Sequence, residues 1–210
     1  IISVDDEMNL RFQSGGRYFE LFNRNNFSPQ TKSFKKILMI RCFLFPGQGS
    51  QQTGMGEPLF SQFPEIVAEA DEILGYSLSD LCLSPQNTDR LGLTQFTQPA
   101  IYVVSCLQAM NELIGGGNPP VFLAGHSVGE YAALCTSGAF SFSDGLRLVA
   151  KRGEIMAKVT GGGMAAVIGL EPSRIKEVLA EMGADDVDLA NFNSPGQTVL
   201  SGPSASMEPL

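Results

Sequence analysis

The 210 residues are 43% hydrophobic and 17% charged, a composition that describes a globular chain able to bury a sizeable core. No apolar run approaches the roughly 18 residues needed to span a bilayer, and the N-terminus lacks the basic start and apolar core of a secretory signal, so the chain reads as cytoplasmic. The net charge of −8 is uneven: residues 1–41 carry seven Lys/Arg and four Asp/Glu, residues 42–210 seven and eighteen, and so acidic a body argues against nucleic acid or anionic membranes as main partners.

Residues 1–38 show weak periodicity and read as a linker or upstream extension, polar and rich in Asn, Ser and Lys from Asn23 to Lys36. The chain begins with Ile and stops where a new element opens, so it reads as a piece of a longer protein, with Met39 a candidate native start. Ile37 to Phe45 is strand-like and closes on Pro46-Gly47-Gln48-Gly49-Ser50-Gln51. That glycine-rich loop lacks the G-K-[ST] ending and the G-x-G-x-x-G spacing of nucleotide sites, which leaves a loop whose backbone comes close to some other ligand.

Pro58 to Leu74 has helical spacing in Phe60, Phe63, Val67, Ala70 and Leu74, with Gly75 as the stop. After a turn-rich stretch over 76–96, a second helix is predicted to open with Thr97 as N-cap and Pro99 in its first turn. It carries Ala100, Val103, Leu107, Met110 and Ile114 on one face and ends at Gly115-Gly116-Gly117. Pro120 to Ala124 then reads as a buried strand feeding Gly125-His126-Ser127-Val128-Gly129, a G-x-S-x-G turn into the helix Glu130 to Cys135, with Gly138 as its left-handed stop. Strands alternating with helices in this way predict a parallel α/β sheet.

The helix predicted over about Ser143 to Thr160 is unusual. Stepped at about 100° per residue, Arg147, Lys151, Glu154 and Lys158 share one charged face, and Leu148, Val149, Ile155, Met156 and Val159 share an apolar arc. Arg152 falls in the middle of that arc. A guanidinium there needs an anion or a full set of acceptors. Two readings stand on these grounds: pairing with an internal carboxylate, or a fork held for a substrate carboxylate.

Gly161-Gly162-Gly163 is a predicted hinge. Beyond it, Met164 to Ile168, Glu171 to Met182, Val187 to Phe192 and Gln197 to Ser201 alternate as β-α-β-β, the first part of a ferredoxin-like unit. The predicted domains are therefore 39–160 for the core and 161–210 for the second unit. Cys42, Cys82, Cys106 and Cys135 are widely spaced, with no C-x-x-C and one histidine in the whole chain, so they read as reduced, buried thiols and no metal site is expected.

A serine at such an elbow needs a base. His126 adjoins Ser127, and neighbouring side chains diverge at a sharp turn, so His126 reads as a structural donor or pocket-wall residue. No Ser–His pair can be built from these residues, and the base is expected beyond Leu210.

In order, Phe45-Pro46-Gly47-Gln48-Gly49-Ser50-Gln51, Thr97-Gln98-Pro99-Ala100, the elbow through Glu130, Lys151-Arg152-Gly153 and Ala190 to Gln197 resemble the malonyl-CoA:acyl-carrier-protein acyltransferase family, closest to the discrete enzymes that serve polyketide synthases. The resemblance implies an α/β-hydrolase-like parallel-sheet core with an inserted ferredoxin-like subdomain. It also implies that Ser127 carries a malonyl ester from coenzyme A to the phosphopantetheine thiol of an acyl carrier protein, with no further cofactor. The amides of Gln48 and Val128 would form the oxyanion hole, Arg152 would grip the free carboxylate, and Gln98 and His126 would line the pocket. Val128, where methylmalonyl-selective members often carry Gln, favours malonyl. An acidic body meeting an acidic carrier calls for a basic docking patch, for which Arg147, Lys151 and Lys158 are candidates. Two other readings remain at this point: an α/β-hydrolase such as a thioesterase, which shares the elbow but has no use for a buried cation, and a non-catalytic carrier-docking module.

Overall fold

The structure, a computed structural model, describes residues 2–4, 10–14 and 17–22 as backbone, and residues 41–116 and 119–209 in full. The chain divides into two compact units, Ile1–Ala157 and Lys158–Leu210. Sequence reading puts that boundary at the Gly161-Gly162-Gly163 run, three residues later.

In the first unit, β1 (Ile2–Val4), β2 (Leu10–Ser14) and β3 (Arg17–Phe22) join β4 (Cys42–Phe45) and β5 (Phe122–Gly125) in a five-stranded sheet of order β3-β2-β1-β4-β5. β4 and β5 are parallel, with Phe45 opposite Gly125, whereas β1 pairs antiparallel with both β2 and β4. Strands at residues 2–4, 10–14 and 17–22 lie within the stretch that sequence reading gives as linker or upstream extension. The sequence signal was a hairpin: Leu10 to Ser14 and Arg17 to Phe22 flank Gly15-Gly16, and the strands pair with Ser14 opposite Arg17. The polar stretch 23–36 lies outside the described residues.

Between β4 and β5 run α1 (Glu57–Gln62), α2 (Pro64–Leu74), α3 (Leu78–Leu83), α4 (Thr88–Gly92) and α5 (Thr94–Ile114). The single helix predicted over 58–74 is thus two. Pro64 has no N–H to continue the ladder and forces the residue before it out of helical geometry, and Phe63 sits at φ −125°, ψ 54°. The predicted cap on α5 is also displaced. The helix starts three residues before Thr97, since the amides of Phe96 and Thr97 both donate to Leu93 O at 2.8 Å, and the Thr97 hydroxyl donates to Leu91 O at 2.6 Å instead of capping.

α5 is the spine of the unit. Ala100, Ile101, Tyr102, Val103, Cys106 and Leu107 are buried along it and pack with Phe43, Phe45, Leu78, Leu81, Val128, Leu146 and Val149 in one core. β5 is less buried than its sequence suggests, with Phe122 60% exposed. Two of the four cysteines, Cys82 and Cys106, are buried, while Cys42 and Cys135 are only partly so, and all four are free thiols.

After β5 come α6 (Gly129–Thr136) and α7 (Phe142–Ala157). α7 turns a different side to the core than hydrophobic periodicity predicts. Its buried residues are Gly145, Leu146, Val149 and Gly153, whereas Leu148 and Ile155 of the predicted apolar arc are 51% and 54% exposed. Small residues cause the difference, because they let α7 lie directly against α5. A Cβ on Gly145 would stand 2.1 Å from Tyr102 Oη and 2.5 Å from the Phe140 ring. Gly145→Ala is accordingly expected to destabilise the protein by about 1–3 kcal/mol, as overpacking does, read as a lower urea midpoint at unchanged m-value.

The second unit is β6 (Gly162–Ile168), α8 (Pro172–Met182), β7 (Asp188–Ser194), β8 (Gln197–Pro203) and α9 (Ser204–Met207). Its antiparallel sheet has order β6-β8-β7, the arrangement of a β-α-β-β start to a ferredoxin-like unit. Ile175 and Leu179 of α8 pack on Val187 and Leu200.

Candidate active site

The elbow between β5 and α6 is built by steric exclusion. A Cβ on Gly125 would lie 2.2 Å from the Glu130 amide nitrogen, and one on Gly129 would lie 2.3 Å from Phe45 O and 2.7 Å from Pro46 O. Only glycine at both places lets strand, turn and helix approach this closely. Between them Ser127 has φ 54°, the one non-glycine residue with positive φ among the described residues. A serine held in that sparsely populated region has its hydroxyl pushed out of the chain path, which is the geometry an exposed nucleophile needs.

The Pro46–Gln51 loop lies against this turn. Gly47 allows the approach, since a Cβ there would stand 2.5 Å from His126 Nδ1 and 2.7 Å from His126 O. The His126 amide donates to Phe45 O at 3.0 Å, and the loop is tied on its far side by Gln48 Nε2 donating to Thr94 Oγ1 at 3.1 Å. Neither the Gln48 nor the Val128 backbone N–H donates to a backbone carbonyl among the described residues. Val128, fully buried, sits at the N-cap of α6. Neither amide is thus spent on a backbone acceptor among the described residues.

Arg152 comes to the same place from α7. Its Nη2 donates to Ser127 Oγ at 3.0 Å and its Nη1 to Gln98 Oε1 at 2.5 Å, and its guanidinium lies 6.0 Å from the Tyr131 ring centroid. Gln98, fully buried on α5, passes its other end to Met156, with Nε2 donating to Sδ at 3.1 Å. Thus Ser127, Arg152 and Gln98 are joined in one hydrogen-bonded chain, with no carboxylate of the protein on the arginine at these contacts. The internal-carboxylate reading of Arg152 has no support in these bonds.

His126 is exposed, and its ring lies against Gly47. The hydrogen bond on Ser127 Oγ comes from Arg152, and these 210 residues contain no other histidine. Sequence reasoning missed Met156, which it placed in the apolar arc, and Thr94, which carried no signal beyond its position before Gln95. Arg147 and Lys151 are exposed on α7, with Lys151 paired to Glu154 at 3.0 Å, whereas Lys158 falls past the helix end in the second unit. Among the described residues no His/Cys/Asp/Glu group is placed to hold a metal ion, and no helix is long and apolar enough to cross a membrane.

Residues 42–210 match the model of the acyl transferase domain family. A polyketide biosynthesis protein, ThaF, of Burkholderia thailandensis is 54% identical over 165 residues, 78% of this chain and 14% of that protein. A polyketide biosynthesis malonyl CoA-acyl carrier protein transacylase, PksC, of Bacillus subtilis is 49% identical over 166 residues, 79% of this chain and 57% of that one. Among solved structures, a malonyl CoA-acyl carrier protein transacylase from Burkholderia pseudomallei superposes with a TM-score of 0.77 at 47% identity, covering 80% of this chain and 58% of that chain. The chain therefore spans 14% of the length of ThaF and little more than half the length of PksC and of the Burkholderia pseudomallei transacylase.

Proposed function

This chain belongs to the acyl transferase domain family, and on that premise we propose that it carries the malonyl-loading half of a malonyl-CoA:acyl-carrier-protein transacylase. Ser127 Oγ attacks the thioester carbonyl of malonyl-CoA. A C–O bond forms, the C–S bond breaks, and coenzyme A leaves as its thiol. The phosphopantetheine thiol of an acyl carrier protein then attacks the malonyl-serine ester, forming the new thioester and returning the Ser127 hydroxyl. In each step the carbonyl oxygen becomes negative, and the Val128 and Gln48 amides are the donors available to it. Over the whole loading step the Ser127 proton ends on the departing coenzyme A sulfur.

One observation carries the reading: a guanidinium reaches the nucleophile with no protein carboxylate at these contacts. A free carboxylate on the acyl group, two carbons from the reacting carbonyl, supplies the missing anion, and Arg matches it bidentately. A hydrolase of neutral acyl chains has no use for that cation beside its serine. The polyketide assignments of the relatives favour a carrier protein of a polyketide synthase as acceptor.

Incubation of the full-length protein with radiolabelled malonyl-CoA tests this. Stable label on the protein, absent from Ser127→Ala and discharged by a holo acyl carrier protein, is expected. Release of free malonate without transfer would establish a hydrolase instead, and no label at all would leave a docking role.

A further inference from the structure

Arg152 is placed on the substrate's carboxylate by the reading above, yet it already has two partners, and one of them is the nucleophile itself. Its Nη1 is held by Gln98 Oε1 at 2.5 Å and its Nη2 by Ser127 Oγ at 3.0 Å. We propose that the free carboxylate of the acyl group competes with Ser127 Oγ for Arg152, so that the arginine restrains the serine toward neutral acyl groups and releases it to carboxylated ones. The proposal rests on the transacylase reading and adds a second level of selectivity to it, exerted on the nucleophile as well as on binding.

The two bonds to Arg152 are unequal in how easily they yield. Gln98 is fully buried with its amide nitrogen committed to Met156 Sδ, so losing the arginine would strand a buried carbonyl oxygen. Ser127 is only half-buried and its hydroxyl can turn to other partners. An arriving carboxylate is also the better acceptor, because both sides of the bond are then charged. It therefore displaces Ser127 and leaves Gln98 in place.

The chemical consequence follows from which atom is occupied. A guanidinium N–H on Oγ uses one of its two lone pairs and draws electron density toward the cation, and a nucleophile attacks through such a lone pair. A neutral acetyl group has nothing to offer Arg152, so Oγ stays engaged while the thioester waits. A malonyl carboxylate takes the Nη2 donor and frees Oγ in the same event that positions the carbonyl.

Competition for one donor is reciprocal. If the carboxylate weakens the hold on Ser127, then Ser127 weakens the hold on the carboxylate by the same factor. Removing Oγ should therefore tighten binding of a carboxylated ligand. Amide analogues of malonyl-CoA and acetyl-CoA, with NH in place of the thioester sulfur, are not transferred and report binding alone. Titration calorimetry with both analogues is run on the wild-type protein, Ser127→Ala and Ser127→Gly. Glycine suits the φ of 54° at this position, so the second variant keeps the elbow if alanine strains it. The malonyl analogue is expected to bind both variants about 3- to 10-fold more tightly than wild type, the worth of one hydrogen bond, with acetyl affinity changed less than about twofold. Unchanged or weaker malonyl binding in both variants would overturn the competition while leaving the transacylase intact. Equal wild-type affinity for the two analogues would overturn the carboxylate site itself, and the proposal with it.

Discussion

Arg152→Ala is expected to lower malonyl loading by about 2–4 kcal/mol in transition-state stabilisation, the loss of a charge-assisted fork, and to leave acetyl loading unchanged or faster. At about 1.4 kcal/mol per tenfold, the malonyl rate falls roughly 30- to 1000-fold. The sign of the acetyl effect comes from the second bond of the same guanidinium. Removing it frees Ser127 Oγ as well as abolishing the proposed carboxylate site. The measurement is kcat/KM for acyl-enzyme formation from each thioester, wild type against variant. Equal losses for both donors would remove the carboxylate role. The variant also leaves Gln98 Oε1 without its arginine in a fully buried position, so a urea midpoint must accompany the kinetics. Arg152→Lys separates the two contributions further. A lysine keeps the charge but lacks the planar fork, so it should retain only part of the malonyl preference.

The residues that carry this prediction were visible in the sequence for different reasons. Ser127 announces itself because an elbow is a local demand: two glycines and a serine at fixed offsets satisfy it whatever surrounds them. Arg152 shows as a violation of helical periodicity, a cation inside an apolar arc. What it touches was not legible, since its bonds to Gln98 and Ser127 bridge 54 and 25 positions of sequence. Periodicity also misplaced the buried side of α7. The helix meets α5 through Gly145 and Gly153, and a pattern built on large apolar residues gives no weight to glycine. A Cβ on Gly153 would stand 3.1 Å from Gln95 Cα, so the absence of a side chain is what draws Arg152 in toward α5. The same limitation hid the break at Pro64, where the apolar repeat continues without interruption across a backbone that cannot. The pairing of residues 10–14 with 17–22 has a different cause: its sequence signal is two short segments around Gly15-Gly16, which the long polar stretch after them outweighs.

Gly129→Ala should be among the most damaging single methyl additions at the site, beside Gly125→Ala. Its Cβ would meet Phe45 O at 2.3 Å, Phe45 C at 2.7 Å and Pro46 O at 2.7 Å, all backbone atoms at the end of β4 with no side-chain rotation to relieve them. Either α6 moves off the strand or the Pro46–Gln51 loop moves off the elbow. The first loosens the core around Val128 and Ala132, both fully buried. The second breaks the close approach of Gly47 to His126 and shifts the Gln48 backbone relative to the elbow. A loss of about 3 kcal/mol or more in unfolding free energy is expected, at the upper end for overpacking because nothing flexible can yield. Gly92→Ala is the matched control: it too adds a methyl to a glycine, but that Cβ would meet nothing within 4 Å, and its urea midpoint should stay near wild type or rise. Where Gly129→Ala remains folded at low temperature, malonyl label on Ser127 should still be lost, because the serine and the amides proposed to receive the oxyanion no longer share one geometry. A folded variant that labels at the wild-type rate would mean that the close approach of β4, loop and elbow is a matter of packing alone and contributes nothing to the chemistry.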